Sequence, residues 1–404
     1  MTTILQINST ANCGSTGRIA EQINQKAIDE GWEAWIAYGR RKSESNSHLF
    51  RIGSKISNME SLMEARVFDN DGLSSRLATT AFINKIKGIK PDIIHLHNIH
   101  GYQINYPILF NYLTSSGIKL VWTIHDCWPL TGHCAHFASC GCEKWKIHCC
   151  DCPQKNSYPA SWLADGSRRN FEKKKRAFLS KQDIVLVPVS KWMGEMVGQS
   201  FLSEFPRVVI YNGVDTDKFK ICQSEIKDTL NIKGKNMLLG VAAAWTEGKG
   251  LYDYYELSKR LDPKRFQIVL VGLSAKQRQS LPDSIIGIEK ISANELVAFY
   301  NAADIVLNLS YAESFGLSTI EGMSCGTPGI VYNQTASPEL VTPDTGIVVN
   351  AGDISALVEA INEICSRGKQ GYTYSCRKRA EECFNAEIQY QKYLDLYKSI
   401  LTES

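Results

Sequence analysis

The stretch Tyr311–Val331, YAESFGLSTIEGMSCGTPGIV, decides the fold of this chain. It follows an apolar run from Ile305 to Leu309, which is typical of a buried strand in a parallel sheet. A glycine turn at Gly316 comes next, and the pattern from about Ser318 predicts a helix. A turn that leads into a helix N-terminus predicts an anion site, because unpaired backbone N–H groups and the helix dipole both favour negative charge.

Two carboxylates flank this predicted anion site. Glu313 comes just after the strand, and Glu321 is expected in the first turn of the helix. Both would repel a phosphate unless they hold other groups, and sugar hydroxyls fit because a carboxylate accepts two O–H donors at once. The backbone amides of Phe315, Gly316 and Leu317 would then face a phosphate with a polyol on either side. The local chemistry therefore describes a nucleotide-sugar.

The pattern around the two acids resembles a known family. Glu313 and Glu321, with seven residues between them, stand in ESFG-x4-EGM-x-CGTP. This resembles the E-x7-E element and CGTP turn of retaining glycosyltransferases of family 4 with the GT-B fold. The resemblance covers nearly the whole chain from Ile4, and it implies an α/β protein with two Rossmann-like domains facing each other across a deep cleft. The other interpretation of the two acids is a solvated helix start with a capping carboxylate.

The same resemblance implies where the domains divide. We expect an N-terminal acceptor-side domain over residues 1–216, with a cysteine-rich insert at 127–153. A donor-binding domain would follow over 217–384, and a last helix over 385–404 would cross back to the first domain. The length of 404 residues agrees, since it is too long for one ordinary domain.

Composition limits the possible environments and partners. No apolar run approaches the ~20 residues that a membrane span needs, and the start MTTILQINST has no secretory signal pattern. A net charge of +3 argues against a nucleic-acid partner. Thirteen cysteines in a chain of this length indicate a reducing compartment rather than a disulfide scaffold. We therefore expect a cytoplasmic protein, with peripheral contact at the inner face of the membrane as an option.

Two further groups of residues are expected at strand ends of the first domain. Gly14 and Gly17 lie in a loop before a predicted helix at Arg18, which suits a phosphate but also suits a plain tight turn. By resemblance this loop faces the donor diphosphate. His97 and His125 follow two predicted strands, where ligands of open α/β sheets bind. By resemblance His125 contacts the transferred sugar or positions the acceptor; His97 and Asp126 are weaker candidates on the acceptor side.

The cysteine-rich segment predicts a structural zinc site. Cys149 and Cys152 form a C-x2-C knuckle, and Cys134 and Cys142 could complete four thiolates. Four thiolates would leave zinc no open position, so the role would be structural. Similar inserts in a subset of family 4 enzymes favour the same four residues; the alternative is a loop of free thiols. Competing ligands remain, namely Cys140, Cys150, His133, His136 and His148.

Two basic features complete the predicted site. The run Arg168–Arg176 is either a solvated helix face or a contact for an anionic membrane or a lipid-diphosphate acceptor. Lys249 occupies the turn where family 4 enzymes carry an R-x4-K pair that grips the donor diphosphate. The arginine of that pair is absent here, because Ala244 stands in its place.

The first functional hypothesis is a retaining glycosyltransferase. It would move a hexosyl unit from a UDP- or GDP-sugar to a growing glycan or lipid-linked saccharide in surface polysaccharide synthesis, without a catalytic metal. Glu313 would hold the sugar, Glu321 the ribose, and Lys249 the leaving diphosphate. The alternatives are a sugar-nucleotide epimerase or phosphorylase on the same fold, and a non-catalytic zinc-containing protein that binds nucleic acid or protein.

Overall fold

The computed structural model describes residues 1–402. The chain divides into two compact units. The first contains residues 1–211 together with the last helix from Gln389 onward, and the second contains residues 212–388. Each unit is built around its own parallel sheet.

The first unit holds a six-stranded sheet in the order β3-β2-β1-β4-β5-β6, with every adjacent pair parallel. The strand order reverses between β1 and β4, and this is the edge of the sheet where open α/β folds bind ligands. The strands are β1 Thr3–Asn8, β2 Glu33–Tyr38, β3 His48–Arg51, β4 Ile93–Leu96, β5 Lys119–Ile124 and β6 Ile184–Pro188.

The second unit repeats this topology. Its six parallel strands lie in the order β12-β11-β10-β7-β8-β9, so the strand order reverses between β10 and β7. Strands β10 and β11 are short and wholly buried, which explains why their segments are apolar runs in the sequence. The strands are β7 Asn236–Val241, β8 Phe266–Val271, β9 Ile285–Ile288, β10 Ile305–Asn308, β11 Gly329–Tyr332 and β12 Gly346–Val349.

Helices cover the sheets and connect the strands. In the first unit, rings of Tyr106, Phe110, Trp122, Trp128 and Phe178 pack beneath them into one aromatic cluster. The helices within residues 1–211 are α1 Gly14–Asp29, α2 Lys55–Phe68, α3 Arg76–Ile89, α4 Tyr106–Ser115, α5 Ser167–Phe178 and α6 Lys191–Gly198. Those that follow are α7 Ile226–Thr229, α8 Leu251–Arg260, α9 Ala275–Gln279, α10 Ala293–Ala302, α11 Leu317–Ser324, α12 Ile354–Arg367, α13 Gln370–Phe384 and α14 Ala386–Thr402.

None of the helices within residues 1–402 combines the length and the apolar character needed to cross a membrane.

The α/β class with two Rossmann-like domains is confirmed by the two sheets. Two local predictions are corrected. Helix α1 begins at Gly14, so Gly14 and Gly17 lie inside the helix rather than in the loop before it. Helix α11 begins at Leu317, which makes Glu321 its fifth residue and places it beyond the first turn. Asn385, between α13 and α14, adopts an extended conformation.

Candidate functional site

The candidate donor site lies where the strand order of the second sheet reverses. The turn after β7, residues 242–250, packs on the loop after β10: the Tyr311 amide donates to the Gly248 carbonyl at 2.9 Å. Gly250 makes this approach possible. Its φ is +69°, and a Cβ atom there would lie 2.1 Å from the Leu309 carbonyl oxygen. A side chain at this position would therefore push the two loops apart.

Lys249 and Glu313 meet across these loops as an ion pair, with Nζ 2.5 Å from Oε2. The backbone of Glu313 is held in turn, because its amide donates to Thr335 Oγ1 at 2.9 Å and its carbonyl accepts from the Ala336 amide. Both charged side chains remain partly exposed, at 32% and 17%. The structure thus brings together two predicted site residues that are 64 positions apart. Ala244, in place of an arginine, is exposed on the same turn and supplies no charge.

The bend before α11 has the geometry of a helix-start anion site. Gly316 is the N-cap with φ +110°, and a Cβ atom there would crowd Leu340 and Asn308. The Phe315 side chain is buried, so only its backbone can contribute to binding, whereas Leu317 is half-buried. No acidic residue stands in the first turn of α11. The nearby carboxylate of Glu313, whose Cγ would lie 3.4 Å from a Cβ atom at Gly316, is paired with Lys249.

Glu321 lies one turn further along α11. Its Oε2 accepts a hydrogen bond of 2.8 Å from the hydroxyl of Tyr300, a residue buried in α10. This bond fixes the orientation of the carboxylate. The role of Tyr300 could not be predicted, because the contact depends on how α10 packs beside α11.

In the first unit, the predicted glycine loop is shorter than expected. Gly17 lies in the first turns of α1, where a Cβ atom would stand 2.7 Å from Thr10 Oγ1. Its small size therefore serves the packing of the loop on the helix. Gly14 has φ +70° and open space around it, so it serves the backbone conformation at the helix start. The N-cap residue Cys13 makes no side-chain cap hydrogen bond.

His97 and His125 lie side by side beyond β4 and β5. Their rings stack with centroids 5.2 Å apart, and His97 Nδ1 is 2.9 Å from His125 Nε2. His97 Nε2 contacts Gln6 Oε1, so both ring nitrogens of His97 are already used inside the protein. This corrects the prediction that His97 faces an acceptor: it lies behind His125. Burial lowers the pKa of His125 to about 4, against the opposing charge of Asp126, so His125 is neutral at pH 7.

Asp126 has a structural role that the sequence did not reveal. Its Oδ2 is 2.9 Å from His100 Nε2, and its Oδ1 accepts from the Trp128 amide at 2.9 Å. Burial alone would raise the pKa of Asp126, but His100, His136 and the Trp128 amide together outweigh it and lower that pKa to about 2. His100 also contacts the Tyr158 hydroxyl at 3.0 Å. Both carboxylate oxygens of Asp126 are thus engaged in holding the turn after β5.

The four predicted zinc ligands come together in one small cavity. Cys134, Cys142, Cys149 and Cys152 all line it. Within residues 1–402, however, no three candidate ligands stand in metal-binding geometry. The donor set fits a thiophilic ion such as zinc, but the thiols would have to rotate toward a common centre.

The competing ligands are distributed differently. Cys150 and His133 line the same cavity, and His133 Nδ1 is 2.6 Å from Asp69 Oδ1. His148 is instead paired with Glu172 at 2.9 Å, and Cys140 is exposed.

The basic run on α5 is only partly a surface feature. Lys174 is buried, donates to the carbonyls of Trp128 and Thr131 at 2.7 and 3.0 Å, and lies 3.5 Å from the centre of the Trp128 ring. The prediction that the whole run faces a membrane is therefore wrong for Lys174. Arg169 is exposed but already donates to the Phe68 and Asp69 carbonyls. The other basic residues of the run point to solvent, namely Arg168, Lys173, Lys175 and Arg176.

Two protein families match the chain. Residues 56–218 match the family described as Glycosyltransferase Family 4, and residues 223–382 match the family described as Glycosyl transferases group 1. Among curated relatives, the putative colanic acid biosynthesis glycosyl transferase WcaC of Escherichia coli K12 is 24% identical over 98% of this chain and 100% of its own length. The capsular polysaccharide biosynthesis glycosyltransferase CapM of Staphylococcus aureus is 22% identical, over 48% of this chain and 54% of its own.

Solved structures agree on the fold. Sucrose-phosphate synthase from Thermosynechococcus elongatus superposes with a TM-score of 0.73 at 17% identity, over 100% of both chains. Anabaena HepE in complex with UDP superposes with a TM-score of 0.70 at 15% identity, over 99% of this chain and 100% of HepE. With both family matches and both sheets in agreement, this chain is a glycosyltransferase of the GT-B fold, in which a family 4 domain is followed by a group 1 domain.

Proposed function

We propose that this protein is a retaining glycosyltransferase that moves a hexosyl unit from a nucleoside-diphosphate sugar to a saccharide acceptor. The observation that carries the proposal is the Lys249–Glu313 pair, which lies beside the glycine bend at the start of α11. The ammonium and the backbone amides suit a diphosphate, and the carboxylate suits sugar hydroxyls. Stabilisation of the leaving diphosphate by these groups requires no catalytic metal.

Each acidic residue has a separate part in this proposal. Glu313 holds hydroxyls of the transferred sugar, and Glu321, oriented by Tyr300, holds the ribose. In the first unit, His125 offers a neutral imidazole to a sugar or acceptor hydroxyl. Its low pKa makes it a hydrogen-bond partner rather than an effective general base at pH 7.

The choice of donor and acceptor rests on relatives. HepE has been solved with UDP and with UDP-glucose, which favours UDP-sugars over GDP-sugars as the first donors to test. WcaC and CapM are named for colanic acid and capsular polysaccharide synthesis, which favours a growing or lipid-linked surface saccharide as acceptor.

The experiment is a transfer assay with a panel of UDP- and GDP-sugars and a lipid-linked saccharide acceptor. We expect turnover with one donor, nucleoside diphosphate release that requires the acceptor, and a product whose anomeric configuration, read by NMR, matches that of the donor. An inverted product would contradict the retaining mechanism. Release of nucleoside diphosphate without any acceptor would favour the epimerase alternative.

We also propose that Cys134, Cys142, Cys149 and Cys152 hold a structural zinc ion. Support comes from their shared cavity and from the four-thiolate chemistry that zinc prefers. The measurement is metal content of protein purified without chelator or affinity tag. We expect about one zinc per chain, as for a closed four-ligand site, lost in Cys149→Ser and kept in the exposed-cysteine control Cys222→Ser. Wild-type protein without zinc, or zinc kept in both variants, would overturn the site.

A third proposal is peripheral contact between the first unit and an anionic membrane. Helix α2 buries only Ser61 and Ala65, and it exposes several large apolar side chains among the charged residues Lys55, Glu60 and Glu64. The segment after the cysteine-rich insert extends this exposed surface, because the Trp162 amide donates to the Arg66 carbonyl at 2.6 Å. Helices α2 and α5 line one groove, in which Lys173 and Arg176 of α5 stand with Glu60 and Glu64 of α2. The exposed apolar residues are Ile56, Met59, Met63, Phe68, Trp162 and Leu163.

Vesicle sedimentation tests the membrane contact. We expect the protein to pellet with vesicles containing phosphatidylglycerol but not with pure phosphatidylcholine, and the double variant Met59→Ser/Met63→Ser to remain in solution. Tyr374→Ser, an exposed aromatic of the second unit, is the matched control and should pellet like wild type. Equal pelleting of the double variant would contradict the assigned surface.

A further inference from the structure

A continuous chain of buried side-chain hydrogen bonds runs behind His125. Ser47 Oγ contacts Asn24 Nδ2 at 3.0 Å, and Asn24 Oδ1 contacts Gln6 Nε2 at 2.5 Å. Gln6 Oε1 then contacts His97 Nε2 at 2.5 Å, and His97 Nδ1 contacts His125 Nε2 at 2.9 Å. All five residues are buried. The chain therefore links α1 and the centre of β1 to the imidazole at the end of β5.

Backbone carbonyls fix the direction of the two amides. Gln6 Nε2 also donates to the Ala20 carbonyl at 2.8 Å, and Asn24 Nδ2 also donates to the Trp35 carbonyl at 3.3 Å. A carbonyl only accepts, so flipping either amide would set two acceptors against each other. Gln6 Oε1 is therefore the atom that faces His97, and it can only accept.

The orientation of the Gln6 amide determines which ring nitrogens of His97 and His125 carry a proton. Because Gln6 Oε1 accepts, His97 Nε2 must carry a proton. Burial, together with the rings of His95 and His125, holds the pKa of His97 well below its ordinary value, so the ring is neutral and has a single N–H. His97 Nδ1 is then the acceptor, and the donor that faces it is His125 Nε2–H.

We propose that Gln6 and His97 are positioning residues that hold His125 as its Nε2–H tautomer and turn the lone pair of His125 Nδ1 toward a substrate hydroxyl. Within residues 1–402 no protein group donates to His125 Nδ1, and this atom is not among the buried polar atoms that lack a partner. His125 Nδ1 can therefore accept a hydrogen bond from a bound molecule. The identity of the hydrogen-bond donor, a hydroxyl of the sugar or of the acceptor, rests on the proposed function. The assignment of the His125 tautomer is independent of that function.

The neighbouring charges do not reverse this hydrogen-bond chain. Glu21 Oε2 accepts from Ser47 Oγ at 3.1 Å, in the same direction as the other bonds. His95 stacks on His97 with centroids 4.0 Å apart, but its own nitrogens are taken by Tyr397 and Thr123 at 2.6 and 2.7 Å. Asp126 and His100, the other titratable groups near His125, are hydrogen-bonded to each other. The hydrogen bonds all point the same way, toward Ser47, and such aligned chains strengthen one another.

The decisive measurement is long-range ¹H–¹⁵N NMR of histidine-labelled protein, since the chain has only eight histidines. The His125 ring is assigned by the signals lost in His125→Gln. We expect wild-type His125 to show the Nε2–H pattern. An Nδ1–H ring, or a ring averaging between tautomers, would overturn the proposal whatever the result of the transfer assay.

The substitution Gln6→Glu should reverse the direction of the hydrogen bond between His97 and His125. Gln6→Glu keeps the acceptor toward His97 and the shape of the side chain, but it replaces the Nε2 donor to Ala20 and Asn24 with a carboxylate oxygen. The added charge favours imidazolium at His97. His97 Nδ1–H would then donate to His125 Nε2 and force His125 into the Nδ1–H tautomer. We expect that switch in the spectrum and at least a tenfold loss of kcat/KM, partly restored at higher pH as His97 loses its proton.

Gln25→Glu, on the outer part of α1, is the matched control and should change neither the spectrum nor the rate. A Gln6→Glu protein that is folded and keeps the wild-type His125 NMR pattern would contradict the control of the His125 tautomer by this hydrogen-bond chain. If the tautomer switches while turnover is unaffected, the hydrogen-bond chain does set the His125 tautomer, but the proposed contact of His125 with a substrate hydroxyl is wrong.

Discussion

Lys249 Nζ lies 2.5 Å from Glu313 Oε2, at the point where the strand order of the second sheet reverses. A family pattern predicted each residue separately as a donor contact, but it did not predict that they neutralise each other. Under the proposed function, a bound nucleoside-diphosphate sugar would let Lys249 exchange part of this ion pair for the diphosphate, while Glu313 would turn to the sugar. The ion pair would then hold both side chains in place before the donor binds.

The first prediction separates the two roles of Glu313. Glu313→Gln removes a negative charge beside the bound diphosphate and frees Lys249 for it, so we expect UDP to bind as tightly as to wild type or more tightly. Transfer should fall by at least about 100-fold, because the neutral amide holds the sugar hydroxyls less strongly in the transition state. Glu256→Gln, which also removes a lysine partner, is the control and should change neither quantity. Weakened UDP binding together with unchanged transfer in Glu313→Gln would contradict this division.

The second prediction concerns the turn that carries Lys249. Gly250→Ala forces a Cβ atom against the Leu309 carbonyl at a positive φ, and the backbone strain alone costs about 1–3 kcal/mol. We expect a lower free energy of unfolding for the second unit and weaker nucleotide binding. Gly248→Ala, two residues earlier, meets only Thr246 Oγ1 at 3.8 Å and should behave like wild type. Equal effects of the two substitutions, measured by urea unfolding and UDP titration, would argue against the packing of this turn.

The third prediction is a pH dependence of stability. Burial lowers the pKa of His125 to about 4, so between pH 6.5 and 4 the unfolded chain binds a proton that the folded chain does not. The contribution of neutral His125 to the free energy of unfolding is therefore fully present above pH 6.5 and is lost as the pH falls toward 4. By linkage, His125 costs about 2 kcal/mol of unfolding free energy between pH 7 and pH 5.

Urea unfolding at both pH values checks this dependence. We expect His125→Gln to lose less stability on acidification than wild type by about that 2 kcal/mol. The exposed His48→Gln should show the wild-type slope. A His125→Gln slope equal to that of wild type would mean that His125 is charged in the folded protein.

Much of the fold could be predicted because buried parallel strands leave a strong local pattern. The run from Ile305 to Leu309 and the histidines after β4 and β5 marked strand ends correctly. Helix α1 was predicted to start too late because glycines favour loops locally. Packing of Gly17 on Thr10 overrides that preference, and it is a tertiary contact that a single sequence does not display.

The connections within the candidate site could not be predicted for the same reason. Gln6 reaches His97 only because β1 and β4 are neighbours with Gln6 opposite His95, residues about ninety positions apart in the chain. Tyr300 reaches Glu321 through helix packing. Such pairs depend on strand register and on helix placement, so spacing in the sequence carries no signal for them.

The most direct measurement is calorimetric titration of UDP and GDP into wild type, Lys249→Met and the control Lys259→Met, a lysine that is also paired with a glutamate but lies on the surface of α8. Loss of a charge-assisted contact worth about 1.5–3 kcal/mol should weaken nucleoside diphosphate binding about 10- to 150-fold in Lys249→Met. Lys259→Met should bind like wild type. Wild-type affinity in Lys249→Met, or no binding of either nucleotide to wild type, would contradict a diphosphate site at the start of α11.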